Sequence, residues 1–320
     1  MTKPDSNRLF DLATTLLRVG FALLVFAFIQ YFFMYGFAFL KVNIKQYEGV
    51  FQFLYAAVTA ISMYILSKAG VEKGEKFVKF RKPRSYCVAI MIILGFAMLG
   101  VVSIYMLIVH NIADHFKPVS EAIETYNTSL DRSAQTDMAK VPVWDNILYM
   151  ISLTFLVPIA EELMFRGIIT GALAKKFNGP FTVIVSAVIF GLMHGISVQV
   201  GYAFICGLLL AFVYYYTANL WYTVIMHALF NFFGSTIAYF FNLKYVPIAP
   251  RTKATLWFVF DRIELISVML AAVFLMILYY GWKANARFPE GLEPGFELFK
   301  DKVTEEDDID ETEMKSYEQA

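Results

Sequence analysis

The chain has 320 residues, of which 58% are hydrophobic, 17% aromatic and 17% charged. Apolar content stands far above the about 45 to 50% of soluble domains and charge falls below their usual ~25%, which excludes a soluble globular, a disordered or a fibrous protein. Lys and Arg number 27 and so do Asp and Glu, so no net charge draws the chain to nucleic acid.

A helix that crosses a ~30 Å hydrocarbon layer at ~1.5 Å per residue needs about 20 mainly apolar residues. Every backbone group must also be satisfied within the segment. Eight segments fit, in chain order 19–40, 51–66, 86–109, 147–173, 181–197, 200–218, 220–241 and 263–282. The second and fifth are short. The expected fold class is all-α, a polytopic membrane helix bundle. The first run is too long for a cleavable signal and lacks a small-residue cleavage site. Cys87 and Cys206 lie inside long apolar runs, where a thiol behaves as a small hydrophobe and builds neither a disulfide framework nor a thiol-rich zinc site.

Lys3, Arg8, Arg18, the bases between Lys68 and Arg84, and Lys175 with Lys176 fall on one side of this arrangement. Fewer bases, among them Lys41, Lys45, Lys117 and Lys244, fall on the other. The excess of Lys and Arg in cytoplasmic loops then puts both termini inside. The basic loop 68–84 also suits contact with anionic membrane lipids. The polar outer stretch 110–143 is long enough for a small cap or an amphipathic helix over the third and fourth spans. Beyond Trp282 the chain turns polar, and the run from Glu305 to Glu311 reads as a disordered acidic tail. Four regions result: 1–146 with the first three spans, a catalytic core at 147–241, an outer loop and last span at 242–282, and a cytoplasmic tail at 283–320.

Ionisable side chains inside a membrane are costly and therefore point to function. Three spans hold them. The fourth carries Glu161, Glu162 and Arg166; the fifth Phe190 and His194; the seventh His227 and Asn231. Glu162 and Arg166, four apart, share a helix face and can pair. Glu161 points about 100° away, which leaves it the freer carboxylate, available to hold a water as general base. His227 and Asn231 are also four apart, and their shared face can offer two donors to a developing oxyanion. Phe190 stands one turn from His194 and can wall its imidazole. Counted from the presumed cytoplasmic ends, Glu161 lies ~21 Å deep, His194 ~20 Å and Asn231 ~18 Å, with His227 shallower at ~12 Å. Three spans thus bring polar groups to one level. Gly167 with Gly171, and Gly191 with Gly195, are small-residue pairs expected to let the fourth and fifth spans pack closely.

The order Glu-Glu-x-x-x-Arg, Phe-x-x-x-His and His-x-x-x-Asn on separate spans resembles the CAAX-protease and bacteriocin-processing family of intramembrane endopeptidases, also called Abi. The resemblance covers about 147–241. It implies peptide-bond hydrolysis in the bilayer, with Glu161 and His194 activating water and His227 and Asn231 polarising the scissile carbonyl. Some relatives resemble Ras-converting enzymes that cleave after a prenylated cysteine, and bacterial ones are associated with bacteriocin processing and immunity. The implied partners are a hydrophobic, prenylated or bacteriocin-like peptide and membrane lipids, and the expected location is a bacterial cell membrane.

The family is often labelled metalloprotease, and Glu161, His194 and His227 could supply a zinc set with one open position. No His-Glu-x-x-His helix is present, and direct glutamate chemistry needs only a carboxylate, a water and oxyanion donors. We expect the metal-free route. Two other readings stay open. A proton- or ion-coupled transporter would use the same Glu and His groups as a relay, although no internal repeat of the usual kind is visible. A non-catalytic immunity scaffold would bind through its apolar faces or its tail.

Overall fold

The computed structural model describes residues 5–68, 80, 82–130, 141–195, 197–242 and 248–285. The acidic tail and most of the basic loop lie outside the described residues. Among the described residues every regular element is helical. In chain order these are α1 (Asp5–Phe39), α2 (Glu48–Lys68), α3 (Ser85–Ala113) and α4 (Lys117–Leu130). Then come α5 (Val143–Ala174), α6 (Gly179–Leu192) and α7 (Ser197–Thr217). The next, α8, begins as Leu220–Asn231, passes through a π-helical turn at Phe232–Thr236 and ends as Ile237–Asn242. The last is α9 (Pro250–Asn285).

Seven of these, all but α4 and α6, are long and apolar enough to cross a membrane. The protein is an integral, multi-pass membrane protein. The expectation of a span at 181–197 is corrected by α6, which has 14 residues and reaches only ~21 Å. It stops because Gly195 takes φ +73°, the left-handed backbone that glycine adopts beyond a helix end, and the chain turns into α7. A Cβ on Gly191 would meet Phe204 and the Val200 carbonyl at 3.0 Å. That glycine therefore tightens the α6–α7 hairpin rather than a contact with α5, and Gly195 serves the turn, with nothing near its Cβ position. The polar stretch after α3 forms the amphipathic α4, as expected. Ile123 on α4 is buried and the Tyr126 hydroxyl donates to Tyr202 on α7 at 3.3 Å.

Helix starts follow local chemistry. Asn178 accepts from the Phe181 amide at 3.0 Å, with a proline in the first turn of α6. Asn219 accepts from the Trp221 amide at 3.2 Å to start α8. Each satisfies an amide that the helix itself leaves open. The start of α2 is capped from another helix: Asp145 of α5, fully buried, accepts from the Gly49 and Val50 amides at 3.0 and 2.9 Å. Gly49 is required there because any Cβ would run into the Asp145 carbonyl. Asp145→Ala leaves both amides unmet inside protein and is expected to cost about 1–3 kcal/mol. The check is Tm in detergent, where an unchanged value would show the cap to be idle.

Two apolar clusters flank the centre of the bundle. One joins α1, α2, α5, α6 and α8 through Phe26, Met63, Phe165, Ile168, Phe190 and Leu220. The other joins α3, α7, α8 and α9 through Met91, Leu94, Met98, Leu210 and Met226. Buried polar residues gather between them on α5 and α8. Both helices depart from regular α-geometry there, with π-helical turns at Ser152–Leu156, Leu163–Thr170 and Phe232–Thr236. Such turns cluster at functional sites because they displace side chains and free backbone groups. In the middle one, Thr170 donates to the Phe165 carbonyl, five residues back, at 2.8 Å and meets Ser186 of α6 at 2.7 Å.

Candidate active site

A cavity of about 930 Å³ opens between the two clusters, and Glu161, His194, His227 and Asn231 all line it. Its volume lies at the upper end of the range for small-ligand pockets, about 300–1,000 Å³. Phe165 and Phe190 form part of its apolar wall, while Gln30, Gln52 and Tyr55 reach it from α1 and α2, and Tyr126 and Asn127 from α4.

The two adjacent glutamates divide as the helical spacing predicts. Glu162 is fully buried, and its Oε2 stands 3.1 Å from Arg166 Nε, with both side chains at 0% exposure. The pair is coulombic rather than aligned, since neither atom makes a hydrogen bond. The Arg166 guanidinium lies 4.5 Å from the centre of the Phe190 ring, a cation–π contact that helps to hold a desolvated charge. Glu161 faces the cavity at 18% side-chain exposure, and its Oε2 has no hydrogen-bond partner. That oxygen is itself buried, a polar atom left unmet beside the cavity.

His227 joins the two acids. Its Nδ1 is 2.9 Å from Glu162 Oε1, and its Nε2 is 3.8 Å from Glu161 Oε2. With Glu162 as acceptor, Nδ1 carries a proton and Nε2 alone is left to face the cavity. The spacing-based depth put His227 shallower than Glu161, yet its ring reaches both glutamates. Helix α8 starts from a turn enclosed in protein, with Ala218 at φ 48° and Asn219 only 2% exposed, so counting from a membrane edge underestimates its depth.

His194 sits just past the end of α6, where Nδ1 is 2.7 Å from the Phe190 carbonyl. A carbonyl only accepts, so Nδ1 carries the proton and Nε2 of the neutral ring keeps its lone pair. No hydrogen bond joins His194 to Glu161; they meet only across the cavity. Phe190 touches both imidazoles, with ring centres 4.7 Å from His194 and 6.0 Å from His227. Asn231 shares the His227 face, but its Nδ2 already donates to the Leu153 carbonyl at 2.9 Å. The expectation of two uncommitted donors is therefore reduced to one remaining amide hydrogen, plus His227 Nε2 when protonated.

For zinc, a fit requires three donors aimed at one point. Among the described residues no three His, Cys, Asp or Glu side chains converge in that way. Glu161, His194 and His227 as placed do not form a zinc set.

Residues 143–233 match the family described as type II CAAX prenyl endopeptidase, Rce1-like. This stretch contains all seven residues of the three motifs. The likeness is to that family over this stretch, less than a third of the chain. A "Putative membrane peptidase YdiL" of Bacillus subtilis (strain 168) is 33% identical over 116 residues, covering 36% of this chain and 48% of that relative. The chain thus spans about half the length of the curated relative it matches. No solved structure matches it.

Outside the matched stretch, α1, α2 and α4 supply cavity walls that motif reading missed. Gln30 and Gln52 left a signal, since an amide in an apolar span needs a polar neighbour. The Leu153 carbonyl that holds Asn231 left none in its own side chain.

Proposed function

We propose that the chain is an intramembrane endopeptidase that hydrolyses a peptide bond in a hydrophobic or lipid-anchored peptide. The observation that carries this reading is Glu161, a carboxylate lining a cavity of about 930 Å³ with one oxygen unpartnered, beside a His227–Glu162–Arg166 chain. Glu161 takes a proton from water and the resulting hydroxide adds to the scissile carbonyl carbon. His194, with its Nε2 lone pair, helps to hold that water. The oxyanion that forms is stabilised by the free amide hydrogen of Asn231 and by His227 Nε2–H, with Glu162 supporting the imidazolium through Nδ1. The proton on Glu161 then passes to the amide nitrogen as the C–N bond breaks.

The route needs no metal. Purified protein in proteoliposomes, given an internally quenched prenylated CAAX peptide, is expected to cleave it equally well with and without 1,10-phenanthroline. Loss of cleavage with the chelator, restored by zinc, would sink the metal-free route. Failure of the untreated protein to cleave any peptide would sink the peptidase reading.

A further inference from the structure

We infer that Pro158 is the positioning residue for Asn231, acting by withholding a backbone donor. In the π-helical turn at Ser152–Leu156, the Val157 amide donates to Ser152, five residues back. It thereby passes over the Leu153 carbonyl, its partner in an ordinary α-helix. The next amide that could reach Leu153 in the five-back register belongs to residue 158, and proline has none. Leu153 is left with an open acceptor inside protein, which is costly unless another donor arrives. Asn231 Nδ2 arrives, at 2.9 Å.

A second bond stands beside the first. Thr154 donates to Thr236 at 3.0 Å, with both hydroxyls buried. The π-helical turns of α5 and α8 thus face each other and are joined by two hydrogen bonds. Glu161 lies eight residues beyond Leu153 on α5, and His227 one turn before Asn231 on α8. With Nδ2 tied to Leu153, the Asn231 carboxamide has a fixed plane and presents its other atoms to the cavity that holds Glu161. Proline in a helix interior usually destabilises, so its presence at a buried site one turn before Glu162 needs a reason, and the freed carbonyl supplies one.

The catalytic half of this inference rests on the peptidase reading; the hydrogen-bonding half does not, and the test separates them. Four full-length chains are compared in detergent: wild type, Pro158→Ala, Asn231→Ala and the double variant. Pro158→Ala restores a donor and lets the helix satisfy Leu153, so its Tm should equal or exceed that of wild type. Asn231→Ala should lower Tm in the wild-type background, where it strands the Leu153 carbonyl, and leave it almost unchanged in the Pro158→Ala background. Equal Tm losses in both backgrounds would overturn the inference, as would a Pro158→Ala or Pro158→Ser chain that does not fold. With the quenched prenylated peptide as probe, Pro158→Ala should lower kcat at least tenfold at unchanged KM. Unaltered kcat in a cleaving enzyme would remove the positioning role even where the Tm pattern holds.

Discussion

Glu161→Gln is expected to lower kcat by about 10²- to 10⁴-fold, the span over which a positioned general base contributes, while Tm stays within a degree or two of wild type. Both halves follow from one feature. Glu161 Oε2 has no hydrogen-bond partner and its nearest basic atom, His227 Nε2, is 3.8 Å away. Fold stability therefore draws little on this side chain. Gln keeps the shape and the polarity but cannot take the proton from water. KM should change less than kcat, because the other cavity walls, among them Phe165, Tyr55 and the amides of Gln30 and Gln52, are untouched. Stopped-time product analysis in proteoliposomes alongside a thermal melt checks both halves. A variant that is active, or one that is inactive only because it has unfolded, contradicts the assignment.

Arg166→Met is expected to destabilise by about 3–5 kcal/mol, the usual cost of removing one member of a buried ion pair. The guanidinium is fully enclosed, 3.1 Å from Glu162 and stacked on Phe190. Without it, Glu162 keeps its charge in an apolar setting with His227 and the Thr223 hydroxyl as its remaining partners. Glu162→Gln should cost a similar amount by stranding Arg166. Combining the two removes both charges, and the double variant should recover much of the lost stability. Activity should not recover with it, since His227 has lost the carboxylate that supports its protonated form. Recovery of both would mean that the pair is structural glue alone. Additive losses of stability would mean that the two side chains do not interact.

The motif residues were legible because polar groups in an apolar chain stand out, and helical spacing alone separated a paired Glu162 from a freer Glu161. The Glu162–Arg166 contact, the shared cavity and the amphipathic α4 all follow from such spacing. What spacing could not yield was any relation between helices. That His227 binds Glu162 rather than standing ready with two free nitrogens depends on how α8 rises from a buried turn. That Asn231 has one hydrogen already spent depends on a carbonyl of α5. The shortness of α6 is a backbone event at Gly195, where the sequence around it remains apolar enough to read as a continued span. The walls from α1 and α2 left only the amides of Gln30 and Gln52 as a signal, and an amide does not tell which helix it faces.

The most direct test of a hydrolytic site built around Glu161 is mass spectrometry of membrane peptides from cells carrying Glu161→Ala, compared with cells carrying the wild-type chain. We predict that one or a few hydrophobic or lipid-anchored peptides accumulate uncleaved in the variant, and that their shortened forms occur only with the wild type. Indistinguishable peptide sets, from cells in which both chains are present and folded, would contradict the account.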